Sequence, residues 1–334
     1  MEFDLALIWA GVIGFAVAMY IFMDGFDLGV GILFACVRDE DARDVMMNTV
    51  APVWDGNETW LVLGGGGLLA AFPLAYAIIL PALYFPVLIM LVALIFRGVA
   101  FEFRFKSHHR VFWGRAFFAG SLLATFAQGL VLGGFLQGFK VEGRQFAGGM
   151  FDWLTPFGVA CGLALVTGYA LLGATWLILK TEGDLQARFY RLARPLCAAM
   201  VGFIVAFCIW APLTYPAIAA RWFALPNFLF LLPVPLLTAG VSLGLWLALQ
   251  QRREGLPFVL TLVLLLLTYL GFGVNLWPYV APPSITLWEA ATFPSSQLFL
   301  LVGVVLLLPA ILFYTGYSYF VFRGKVRSGE GYQH

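Results

Sequence analysis

The sequence predicts an all-α polytopic membrane protein that crosses its bilayer about nine times, and three observations carry that expectation. Hydrophobic residues make up 62% of the 334-residue chain and charged residues only 11%, against roughly 25% charged in an ordinary soluble protein. The apolar residues arrive in stretches of about 20 or more, each long enough at 1.5 Å per residue to cross a hydrocarbon core of about 30 Å. The basic residues, finally, alternate from loop to loop as an odd number of spans requires. A water-soluble core cannot hide so much apolar surface, so a soluble enzyme is excluded. No long polar segment suggests an attached soluble domain, and residues 1–334 are read as one integral membrane domain. A net charge of +1 without a polybasic surface argues against a nucleic-acid partner.

Taken in order, the expected spans are 5–36, 50–72, 76–102, 116–138, 155–179, 195–216, 226–249, 257–277 and 297–321. The chain starts Met-Glu-Phe-Asp, acidic where a secretion signal is basic. The apolar run behind it is too long for a signal core, so the first helix is expected to be retained. With nine spans, one side of the membrane collects Arg38, Arg43, Arg104, Lys106, Arg110, Arg115, Lys180, Arg188, Arg191, Arg194, Arg252, Arg253, Arg323, Lys325 and Arg327. The other side has Lys140, Arg144 and Arg221, and Arg97 lies within a span. The positive-inside rule then puts the N-terminus outside and the C-terminus in the cytoplasm. Prolines such as Pro233 and Pro235 predict kinks where neighbouring helices take up the freed carbonyls. The run Gly64 to Gly67 lacks the Lys and Ser/Thr of a phosphate loop and reads as close helix packing, as do Gly25 and Gly29.

An ionised group deep in a bilayer costs about 2.5–3.5 kcal/mol on insertion scales, so each one needs a partner or a purpose. Three clusters stand out. The first span carries Asp24 and Asp27, three residues apart and hence on one helix face. The second opens with Ala-Pro-Val-Trp-Asp-Gly-Asn-Glu-Thr-Trp, bearing Trp54, Asp55, Asn57 and Glu58, and the third ends with Arg97, Glu102 and Arg104. Asp24 is roughly 28 Å along its helix from the outer start, which is near the cytoplasmic boundary. Asp55 enters at the same boundary and Arg97 approaches it from outside, so all three clusters are expected at one depth. Several acids facing few bases would hold protons or attract water, as a proton path from the cytoplasm needs. An ion-pair cluster stapling the first three helices explains the same residues, and both readings stay open.

Cys36, Cys161, Cys197 and Cys208 form no close pair and read as packing residues rather than disulfides or a zinc site. The histidines are His108, His109 and His334, none placed to bind a buried haem, and Met19, Met23, Met90 and Met200 are scattered. No metal, cofactor or catalytic residue is therefore expected in this chain alone. Trp9, Trp113, Trp153, Trp222, Trp277 and Trp288 fall near span ends, as interfacial anchors do. The proline-rich loop 277–296, with Glu289, reads as an ordinary stiff outer loop.

Four motifs carry a resemblance: Met23 to Gly29 (MDGFDLG), Val53 to Trp60 (VWDGNETW), Phe96-Arg97-Gly98 through Glu102-Phe103-Arg104, and Pro282-Pro283-Ser284-Ile285-Thr286. In these the chain resembles subunit II of cytochrome bd-type quinol oxidases, in particular the cyanide-insensitive branch. The resemblance runs over essentially the full length and is strongest over residues 20–105. It implies a fold of two four-helix bundles with one peripheral helix in the bacterial inner membrane. It implies a partner, subunit I, holding two b-type haems and one d-type haem, and a small single-helix subunit as a further companion. Quinol would be oxidised near the outer face and oxygen reduced to water on the partner, with protons drawn from the cytoplasm. The aspartate of the Trp-Asp-Gly-Asn motif, here Asp55, is the residue the resemblance marks as proton conduit. Asp24, Asp27 and Glu58 would extend the path, with Trp54, Asn57, Arg97 and Glu102 in support. Two other readings compete: a secondary transporter, whose site should lie at mid-bilayer, and a purely structural membrane subunit.

Overall fold

The computed structural model describes residues 4–327 and residue 329; Glu2 and His334 lie outside the described residues. The chain is a bundle of helices with two two-stranded hairpins in its loops. Helix α1 (Leu5–Leu33) is capped by the Asp4 carboxylate, which accepts from the Leu7 N–H, and ends in a short 3₁₀ turn to Cys36. A short helix α2 (Glu40–Asn48) leads to α3 (Trp54–Ala71), α4 (Pro73–Ala82), α5 (Tyr84–Lys106) and α6 (Arg110–Gln137). Then come α7 (Pro156–Lys180), α8 (Gly183–Thr214), the short α9 (Pro216–Phe223) and α10 (Asn227–Leu231), α11 (Pro233–Gln250), α12 (Leu256–Leu276), a one-turn α13 (Leu287–Ala290) and α14 (Pro294–Val321). Eight helical segments are long and apolar enough to cross a membrane. The expected second span is α3, 18 residues long, whose polar first turns leave it less apolar than the others.

Two spans differ from the expected boundaries, and prolines mark both of them as well as a break in a third. The stretch expected to open the third span forms a separate helix, α4, because Pro73 starts it and Pro86 cannot donate to the carbonyl a turn earlier, so the chain breaks at Leu83. At 10 residues, α4 covers about 15 Å. Helix α8 starts at Gly183 and not at 195: Pro195 sits inside it, and Arg188, Arg191 and Arg194 ride on a helical turn rather than a loop. In the seventh span Pro233 separates α10 from α11, the interruption expected there.

Helix α1 runs against α3, α6, α7, α12 and α14 and is the centre of the arrangement. Its approach to α7 is set by two glycines. A Cβ on Gly29 would overlap the Tyr169 carbonyl oxygen, and one on Gly173 would overlap the Gly29 backbone, so the helices touch through their main chains. Gly120 does the same for α5 and α6: its Cβ would lie 2.6 Å from the Ala93 carbonyl oxygen and 2.9 Å from the Arg97 nitrogen. The glycine run in α3 is used on one side only. Gly64 and Gly67 face Val17 and Ile13 of α1, whereas Gly65 and Gly66 have open space.

Candidate functional site

The polar centre forms where α1, α3 and α5 meet, six to nine residues before the C-terminal end of α1. Asp24 and Asp27 share the α1 face turned inward and are fully buried. Arg97, equally buried, donates from Nη1 to Asp24 Oδ1 at 2.5 Å and from Nη2 to Glu58 Oε2 at 2.9 Å. The Trp54 ring, stacked on Phe101 at 4.8 Å, lies 5.8 Å from the guanidinium carbon. Asp27 has a different partner. Asn57 Nδ2 donates to Asp27 Oδ2 at 2.8 Å and, more weakly, to the Met23 carbonyl at 3.3 Å. The Tyr319 hydroxyl, from α14, donates to Asn57 Oδ1 at 2.8 Å. Asp24 Oδ2 and Asp27 Oδ1 have no hydrogen-bond partner among the described residues. Asp24 and Glu58 thus share one guanidinium, Asp27 is held beside them by Asn57, and one oxygen of each buried aspartate has no hydrogen-bond partner among the described residues.

Helix periodicity explains which of the expected residues meet. At 100° per residue Asp24 and Asp27 fall 60° apart, and Arg97 and Arg104, seven residues apart, fall about 20° apart two turns on. Glu102, five residues from Arg97, falls about 140° away on the helix; it points outward and pairs with Lys106 at 3.0 Å. Asp55 lies about 200° from Asn57 and is exposed in the first turn of α3, apart from the buried acids. A carboxylate there suits the positive end of the α3 dipole. Beside Asp55, Gly56 and Asn57 line a small cavity of about 30 Å³ with Pro52, Val53, Thr315, Ser318 and Tyr319.

The sequence reading did not single out Tyr319, Tyr20 or Gln128. Tyr20 stands one turn before Asp24 and accepts from Gln128 Nε2 at 2.7 Å, extending the polar strip inward. The α1 spacing Tyr20, Asp24, Asp27 was the available signal; nothing in the pattern of α14 distinguished Tyr319 from an interfacial aromatic. A second charged network closes the same end of the bundle. Arg104, fully buried, donates to Glu40 Oε2 (2.7 Å), Asp44 Oδ1 (2.9 Å) and the Arg110 carbonyl (2.8 Å). Arg43 holds the other Glu40 oxygen at 2.6 Å. Burial works against the Glu40 charge, but the Arg104 and Arg43 hydrogen bonds outweigh it and hold the carboxyl below its ordinary range.

Among the described residues no group of three or more His, Cys, Asp or Glu side chains is arranged to hold a metal ion. His108 and His109 are exposed between α5 and α6. Cys161 and Cys197 are buried and Cys36 and Cys208 exposed, all four as free thiols.

A family model described as cytochrome bd terminal oxidase subunit II matches residues 5–322. The chain belongs to that family. Cytochrome bd-I ubiquinol oxidase subunit 2 of Escherichia coli (strain K12) is 31% identical over 363 residues, covering 96% of this chain and 95% of the relative. Cytochrome bd ubiquinol oxidase subunit 2 of Bacillus subtilis (strain 168) is 29% identical over 322 residues, covering 93% and 94%. The fold is that of a solved bd oxidase chain from Geobacillus thermodenitrificans, with a TM-score of 0.74 at 20% identity over 96% of this chain and 97% of that one. The protein is therefore a multi-pass subunit of a terminal oxidase, an oxidoreductase complex of the bacterial inner membrane with haems in the complex and a subunit I as partner. Family membership removes the transporter reading.

Proposed function

We propose that this chain is the haem-free half of a quinol-oxidising, oxygen-reducing complex and that its charged centre passes protons from the cytoplasm toward the haem-bearing subunit. Two haems b and one haem d belong, in this reading, to subunit I, with quinol as electron donor and a small single-helix subunit as a further companion. The cyanide-insensitive branch is the assignment that the sequence motifs favour. The nine-span count, with the N-terminus outside and residues 1–334 as one membrane domain in two four-helix bundles and a peripheral helix, belongs to the same proposal.

The observation that carries the proton role is the surplus of buried acid over base. Asp24 and Glu58 pair with Arg97, Asp27 is bonded only to the neutral Asn57 among the described residues, and one oxygen of each buried aspartate is unpartnered there. A cluster built only as a staple needs one acid per base, because each surplus buried charge costs several kcal/mol. Charge balance therefore calls for at least one acid to hold a proton, which is what a relay requires. Asp55 supplies a solvent-facing carboxylate at the mouth, one residue from the cavity wall at Gly56. Glu58, with its side chain 27% exposed, bridges outside and inside.

Asp55→Asn in the purified complex tests this. Normal assembly and haem content with turnover lost is the expected result; full turnover with undiminished proton uptake would overturn the role given to Asp55.

A further inference from the structure

The acids of the centre are buried, and the small cavity next to Asp55 lies directly beside them. We infer that protons reach Asp27 from the small polar cavity between α3 and α14, and that Tyr319 is the positioning residue that holds Asn57 across this inlet. The inference rests on the proton-delivery reading and adds to it a place of entry and a residue that governs it.

Four observations place the inlet. The cavity of about 30 Å³ exceeds the roughly 10–15 Å³ that one water requires and has room for about two. Its wall offers the polar groups that ordered water needs: the hydroxyls of Thr315, Ser318 and Tyr319 and the Asn57 amide. Asn57 is only 1% exposed and stands between that wall and Asp27, bonded to Tyr319 on one side and to Asp27 Oδ2 on the other, both at 2.8 Å. Behind it, Asp27 Oδ1 is fully buried and unpartnered.

The chemistry of the amide fixes its role. In the arrangement described, Asn57 donates an N–H to Asp27 and accepts from Tyr319, and an amide nitrogen does not take up a proton in return. A proton cannot pass through Asn57; it must pass beside it, on water, when the side chain swings away. The step itself is a transfer from a hydrated proton in the cavity to an Asp27 carboxylate oxygen. One O–H bond of the hydronium breaks, one forms on Asp27, and no electron moves. Tyr319 opposes the swing, because its hydroxyl bonds Asn57 while its ring is held edge-on against Phe26 and Trp176, both with centroids at 6.3 Å.

The test reads exchange at Asp27 without turnover, so it can fail while the Asp55 experiment succeeds, and the reverse. The intact oxidase complex is moved from H₂O to D₂O and the carboxyl C=O stretch is followed by infrared difference spectroscopy, with Asp27→Asn assigning the band. Tyr319→Phe keeps the ring contacts and removes the hydroxyl. Exchange should become about fivefold faster, the shift that one neutral hydrogen bond makes in an equilibrium. Gly56→Leu fills the cavity from a position with no atom within 4 Å of a new Cβ, and exchange should become several-fold slower. Should that variant fail to assemble with a wild-type haem spectrum, Thr315→Leu fills the same space from α14. Both directions are required: a wild-type rate in either arm, or the absence of any band lost in Asp27→Asn, overturns the inference.

Discussion

Replacing Arg97 with Gln removes the only cation among the described residues that pairs with Asp24 and Glu58. Arg97 and Asp24 are fully buried, so the loss leaves an uncompensated carboxylate where water does not reach, at a cost of about 3–5 kcal/mol. Glu58 is partly exposed, with 27% of its side chain accessible, and its share is screened to about 1 kcal/mol or less. The sum is about 3–6 kcal/mol, most of it in the Asp24 pair. If that contact breaks on the way to unfolding, the half-life of the detergent-solubilised complex at elevated temperature falls by roughly 10²- to 10⁴-fold. The assay is loss of the haem spectrum against time, because loss of this subunit exposes its partner. The double variant Asp24→Asn with Arg97→Gln removes charge on both sides and should recover most of the lost lifetime. Turnover separates the two roles of the cluster: a staple alone predicts recovered activity with recovered stability, whereas a proton path predicts a long-lived complex that is slow. A single Arg97→Gln variant with a lifetime within threefold of the wild type would refute the energetic reasoning.

Other outcomes follow from the same geometry. Glu40 ionises more readily in the folded chain than its ordinary value of 4.5, so its contribution is present above that value and is lost as pH falls through the lower folded value. Arg104→Met should remove this acid sensitivity, seen as a flatter Tm-against-pH curve between neutrality and pH about 4. Gly29→Ala forces α1 away from α7 and should lower stability by about 1–3 kcal/mol, while Gly65→Ala, with open space at its Cβ, should match the wild type; both are read as Tm of the complex. Thr286→Val breaks the capping box with Glu289 and should cost about 1 kcal/mol, measured in the same way, with turnover unchanged.

The helices were legible because bilayer-length apolar runs leave few alternatives, and α6, α7, α12 and α14 fall within a few residues of expectation except at the start of α6. The breaks around α4 were not, since Pro73 and Pro86 flank a run that is apolar throughout and a hydropathy reading joins it to α5. At Pro195 the helix continues instead, starting 12 residues earlier than expected, with Phe189, Ala193 and Cys197 buried on either side of the proline. At the centre, the partners Asp24, Glu58 and Arg97 were readable from the cost of burying charge. Their neighbours Tyr319 and Gln128 were not, because one neutral polar side chain in an apolar helix carries no such cost signal. Asp55 and Glu102 shared the motifs of the buried residues but not their helix faces, and motif membership alone does not fix orientation.

The position of the two aspartates in the first helix has a consequence for how the protein is made. Arg97 follows Asp24 by 73 residues, which at ribosomal rates is a delay of roughly 4–15 s. Throughout that interval α1 carries two acids whose base has not yet been synthesised. Asp27 is six residues, about 9 Å, from the end of α1. The Arg97–Asp24 pair can form only once α5 has been made. The ion pair between α1 and α5 is thus absent while α1 is the newest helix and can close only after α3 and α4 have also been made.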